Sequence, residues 1–215
     1  MKIIVTLPHY DPATQYISNW AKNVVDFAIN RGIDVINLVG DKANRKDFEG
    51  RVDKVKPRIV FLNGYGDDDC VLGQDNLILV KKGDNHTVLQ GKITYALACS
   101  SGAELGPEVA KNNDSAYIGY DDEFCFAGNS KYLSHPIDDP RAKPFMESSN
   151  QIMCSLLKGN NCQEACEKSR KIFKEYINRL SSSAADPDSL QDAQLLWWDM
   201  KHQVCLGNKR SSIKD

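Results

Sequence analysis

The feature that most constrains this chain is a series of short, β-branched apolar runs, each cut off by glycine or small polar residues. Ile3 to Leu7, Ile33 to Val39, Ile59 to Leu62, Ile93 to Ala98 and Ala116 to Tyr120 are such runs. Continuous apolar stretches of this length fit strands buried on both faces. The segments between them carry helical spacing. Tyr16, Ile17, Trp20, Val24, Val25, Phe27 and Ala28 recur on one helical stripe that ends near Gly32. Lys42 to Val55 is a charged helix with a thin apolar face and is stopped by Pro57, and Glu104 to Lys111 is a short one. Strands alternating with helices predict an α/β fold, a three-layer sandwich around a mostly parallel sheet with right-handed crossovers.

Strand-like pieces at Leu77 to Val80 and Thr87 to Leu89 fall in the Gly-, Asp- and Asn-rich stretch between the third and fourth main strands. The composition changes after Phe126. An α/β core over 1–126 is followed by loop chemistry over 127–141, with Gly128, His135, Pro136 and Pro140. A helical C-terminal third, 142–207, is expected to pack on the core, and a basic tail, 208–215, to fray. Its helical patterns cover about 142–158, 161–181 and 187–206, the last with Asp186 or Asp188 as N-cap.

A formal net charge of -2 gives no electrostatic ground for nucleic acid as a partner. No apolar run approaches the ~20 residues of a membrane span. The N-terminus reads as a first strand rather than a signal peptide, which makes the cytoplasm the expected compartment. There, the seven cysteines are expected as thiols. Cys162 and Cys166 share a helix face, and with Cys154 and Cys205 they offer a zinc set. The tight two-residue knuckle of most zinc sites is missing, so packing is the preferred reading and neither metal nor cofactor is expected.

In an open parallel sheet, ligands gather at the carboxyl ends of strands. Two such ends stand out: Asn63-Gly64-Tyr65-Gly66 and Ala98-Cys99-Ser100-Ser101-Gly102. A cysteine at one end beside a Gly-x-Gly turn at another matches a thiol nucleophile with a backbone oxyanion hole. The plain reading is a small buried hydrophobe next to a tight turn. The turn is no dinucleotide fingerprint, because no helix opens directly after it.

These two strand endings resemble the caspase-like cysteine peptidases, the clan of caspases, gingipains, clostripain and bacterial CHAT domains. In that clan one strand ends in His-Gly and a later one in Ala-Cys followed by small residues. Leu97 and Ser101 depart from the caspase signature itself, and the strand Ala116 to Tyr120, followed by Asp121-Asp122-Glu123, is similar to the clan's next strand and loop. The resemblance covers about residues 1–126. It implies Cys99 as nucleophile, the amides of Cys99 and Gly66 as oxyanion hole, and a helix opening after Cys99 that favours thiolate. The base position, histidine in the clan, holds Tyr65, a poor base with an ordinary pKa of about 10. His9, at the end of the first strand, is the best-placed substitute; His86 and His135 sit in loops. Asp67 to Asp69 read as a solvated turn, a cation site or part of an acidic pocket for a basic substrate side chain, for which Asp67, Asp121 and Asp122 are the candidates.

Three functions follow: a cysteine peptidase acting through Cys99 on a protein or peptide; a catalytically impaired pseudo-peptidase that binds or regulates a partner protein; and, with less support, a flavodoxin-like domain binding a small anion. Exposed tryptophan at Trp197-Trp198 would suit a partner interface. The oligomeric state is left open.

Overall fold

The computed structural model describes residues 1–182 and 187–214. Its strands are β1 (Lys2–Leu7), β2 (Asp34–Val39), β3 (Ile59–Asn63), β4 (Gly66–Asp67), β5 (Cys70–Leu72), β6 (Ile78–Lys81), β7 (Ile93–Leu97), β8 (Ala116–Tyr120) and β9 (Gln203–Gly207). Its helices are α1 (Pro12–Ile29), α2 (Arg45–Val55), α3 (Leu105–Ala110), α4 (Lys143–Leu157), α5 (Cys162–Leu180) and α6 (Pro187–His202). The main sheet has six strands in the order β2-β1-β3-β7-β8-β9, and β4, β5 and β6 form a small second sheet. All pairings in the main sheet are parallel except that of β9 with β8. The chain is therefore α/β with a mostly parallel sheet.

Strand residues alternate between two cores, as period-2 geometry requires. Ile3, Val5, Phe61, Tyr95, Leu97 and Ile118 face the core covered by α1, α4, α5 and α6. Ile4, Val60, Leu62, Ala96 and Tyr117 face the core covered by α2, α3 and the small sheet. Phe61 and Tyr95, neighbours across β3 and β7, stack with centroids 5.0 Å apart. Fully burying a side chain of this size contributes about 2–3 kcal/mol. No helix among the described residues is long and apolar enough to cross a membrane.

Three expectations need correction. The last helix stops at His202, and Gln203–Gly207 forms β9, antiparallel to β8 and the edge of the main sheet. Val204, Cys205 and Leu206 continue the apolar spacing of the helix, but Gly207 takes a φ of 73°, and the run pairs as a strand. His86–Leu89 is a 3₁₀ turn rather than a strand. The tail does not fray: Ser211 is buried, Ser211 O accepts from Cys162 N–H, and Ser212 O accepts from the Arg58 guanidinium. Of the two candidate caps for the last helix, Asp188 lies in its first turn and Asp186 lies outside the described residues.

Candidate functional site

The carboxyl ends of β3 and β7 and the loop after β8 border a cleft of about 390 Å³. Ala13 and Ile17 of α1 form one wall, Tyr65 and Cys99 the floor, and Phe124 with Leu195 of α6 the far side. Phe126 also lines it, with its ring 5.6 Å from that of Tyr16 and 6.4 Å from that of Phe124. None of the lining residues carries a formal charge.

Local chemistry sets each wall. Asp11 caps α1 through a capping box, its Oδ1 accepting from Thr14 N–H at 2.8 Å and Thr14 Oγ1 at 2.7 Å, with Pro12 in the first turn. The other carboxylate oxygen, Oδ2, accepts from the Tyr65 hydroxyl at 2.8 Å. One residue thus starts α1 and ties down Tyr65. β1 and β3 are joined at their ends by Thr6 and Asn63: Asn63 N–H donates to Thr6 Oγ1, and Asn63 Nδ2 to Thr6 O, both at 2.9 Å. The turn that follows depends on glycine. Gly64 has a φ of 149°, and a methyl there would run into the Leu72 carbonyl oxygen. A methyl at Gly66 would run into the carbonyl oxygen of Cys99. Gly66 is therefore the point at which this turn and the cysteine loop come into backbone contact.

Cys99 follows β7, half-buried, and its Sγ donates to Phe124 O at 3.8 Å, a long and weak bond. Ser100 holds a left-handed φ of 52°, and its N–H donates to Asp122 O at 2.9 Å. The helix expected to open at Cys99 begins at Leu105. The N–H groups of Glu104 and Leu105 donate to Asp68 O, so the positive end of this short helix is spent on the acidic turn. Burial pushes the Cys99 thiol above its ordinary pKa, and the negative charge of Glu123 adds to the effect. Tyr65 is pushed up to about 12, first by burial and then by its bond to Asp11. Burial works against the Asp11 carboxylate, but hydrogen bonds from Thr14 and Tyr65 outweigh it and hold its pKa below the ordinary value.

The structure brings Tyr65, Gly66 and Cys99 together. The other expected site residues lie elsewhere. The His9 ring rests against Gly40 at the end of β2, and its backbone N–H donates to Gln74 Oε1 at 3.1 Å. His86 accepts from Gly83 N–H, and His135 sits beside Ser134. Asp67 accepts from the N–H of Asp68 within the turn between β4 and β5. Asp121 Oδ1 lies 2.8 Å from His202 Nδ1, and Asp122 Oδ2 lies 3.9 Å from the same atom. Among the described residues, no group of three side chains is arranged to hold a metal ion.

Sequence reasoning missed the clamp that α6 places on the loop after β8. Trp198 Nε1 donates to Glu123 O at 3.1 Å, Asp199 Oδ1 accepts from Cys125 N–H at 2.9 Å, and the His202 ring packs 4.3 Å from Trp198. Residues 198, 199 and 202 share a helix face by their spacing, a signal present in the sequence. Asp199 is fully buried, and burial raises its carboxyl well above the ordinary range. Trp197, its neighbour, is exposed.

No family model matches the chain, and no curated protein matches its sequence.

Proposed function

We propose that this chain has a caspase-like cysteine-peptidase fold whose strand-end cleft binds an apolar side chain of a partner polypeptide and is impaired in hydrolysis. The observation that carries this reading is the state of Tyr65. Its hydroxyl proton is committed to Asp11, and its pKa of about 12 leaves it no basic form near neutral pH. Cys99 lacks an activator as well, since burial favours its neutral thiol and no histidine lines the cleft. The uncharged, aromatic walls favour an apolar side chain over a basic one or a small anion.

The hydrolytic reading keeps one observation in its favour. Ser100, the residue after the nucleophile position, holds a left-handed backbone that costs about 1 kcal/mol, and strain of this kind concentrates at working sites.

Iodoacetamide labelling of Cys99 across pH, read by mass spectrometry, decides between the two. The binding reading expects slow labelling at neutral pH, with a midpoint above the ordinary thiol value of about 8.5. Rapid labelling below neutral pH means a stabilised thiolate and restores the hydrolytic reading.

A further inference from the structure

A pair of thiols, Cys166 and Cys205, lies outside the cleft. Helix α5 crosses β9 and the residues after it in the opposite direction, and the contacts keep step. At the start of α5, Cys162 N–H donates to Ser211 O at 3.1 Å and Gln163 N–H to Lys209 O at 3.0 Å. Two turns on, Gln203 Nε2 donates to Ser169 Oγ at 2.9 Å, and the Arg170 guanidinium donates to Gln203 O at 2.6 Å. Four helical residues rise about 6 Å, close to the rise of two strand residues. Midway between these two anchors, the register sets Cys166 of α5 against Cys205 of β9. Both side chains belong to the core packed between α5 and the sheet, close enough for each thiol to perturb the other.

The two sulfurs have different surroundings. Cys166 is buried, whereas Cys205 is half-buried. The neighbouring Cys166 thiol, together with the positive charges of Lys209 and Arg170, favours the thiolate of Cys205 despite burial. The nearness of Cys205, followed by burial, raises Cys166. Cys205 is the more accessible sulfur and has the cations Lys209 and Arg170 beside it, whereas Cys166 is enclosed in the core.

We propose that Cys166 and Cys205 form a peroxide-responsive dithiol site that closes into a disulfide joining α5 to the edge strand. The Cys205 thiolate attacks one oxygen of hydrogen peroxide. The O–O bond breaks, giving a sulfenic acid at Cys205 and hydroxide, which takes up a proton to become water. The Cys166 sulfur then attacks the sulfenic sulfur. An S–S bond forms, and the hydroxyl leaves with the Cys166 proton as a second water. In total, two thiols and one hydrogen peroxide give one disulfide and two waters. This site does not rest on the function proposed for the cleft.

The test is exposure of the full chain to hydrogen peroxide at neutral pH, maleimide quenching and a non-reducing peptide map. The expected result is a cross-linked peptide joining Cys166 to Cys205, reversed by dithiothreitol, with Tm raised by about 5 °C or more. In Cys166→Ser the sulfenic acid at Cys205 is stranded and is captured by dimedone; in Cys205→Ser, Cys166 resists oxidation. Far-ultraviolet circular dichroism checks that both variants fold. Should either fail, the relative rates of maleimide labelling of the seven wild-type cysteines decide instead, with Cys205 fastest. Oxidation of Cys205 no faster than that of Cys125, over-oxidation without a cross-link, or a disulfide between other residues overturns the proposal.

Discussion

Cys99 and Cys205 are both half-buried thiols on the main sheet, yet their surroundings drive them in opposite directions. Cys99 stands at the carboxyl end of β7, the position where ligands bind in parallel sheets, but its neighbours are aromatic rings, a carbonyl oxygen and acidic groups. Cys205 stands within an antiparallel edge strand, a position with no such association, yet it has Cys166, Arg170 and Lys209 around it. Position along a strand therefore does not activate a sulfur. Activation comes from the donors and charges within a few ångströms of it.

The largest expected effect tests the wall on the Cys99 side. Gly66→Ala drives a methyl into the Cys99 carbonyl and should cost about 3 kcal/mol, read as a lower guanidinium midpoint. Cys99 labelling should rise in that variant well before Cys205 labelling changes. Next is the contrast itself. In one labelling reaction near neutral pH, Cys205 should react faster than Cys99, because burial raises the Cys99 thiol while the charges of Lys209 and Arg170 favour thiolate at Cys205. The reverse order would break the comparison. Tyr65→His should raise Cys99 labelling at neutral pH several-fold by placing a titratable imidazole at the base position, and should leave Cys205 unaffected; a peptide library then reads any gain in hydrolysis. Tyr65→Phe should cost about 1 kcal/mol through loss of the bond to Asp11, measured by chemical denaturation.

The smallest effect is one of pH. The folded carboxyl of Asp199 has a raised pKa, so the native state holds its proton more tightly than the unfolded chain does. Stability from this group is full below the unfolded value of about 4 and is lost as pH rises toward the folded value. Asp199→Asn keeps an acceptor for Cys125 N–H and should flatten the decline of Tm as pH rises above about 4.

The contrast between the two thiols also shows what could be read from the sequence. β1, β3, β7 and β8 are legible as β-branched runs with abrupt polar endings, and the meeting of Tyr65, Gly66 and Cys99 follows from those endings. β9 was hidden because Val204 and Leu206 extend the helical stripe of α6, with no breaker between Trp197 and Gly207. Reading 203–206 as helix removed Cys205 from the sheet and hid its partner. The helix cap at Asp11 is written in Asp11-Pro12-Ala13-Thr14, but its second oxygen reaches a tyrosine 54 positions away, and no local pattern encodes that. Asp199 and His202 were missed for a related reason: their targets, Cys125 N–H and Asp121, lie in a loop whose path depends on the sheet.

The late position of β9 has a consequence for synthesis. β8 is complete at residue 120, but its outer neighbour is not made until residue 207. While α4, α5 and α6 are being translated, the apolar Ala116-Tyr117-Ile118-Gly119-Tyr120 strand presents an unpaired ladder to its surroundings, as exposed sheet edges do before they are covered. The sheet is thus closed by a strand made only after α4, α5 and α6, and a chain cut short of Gln203 would emerge with that ladder open.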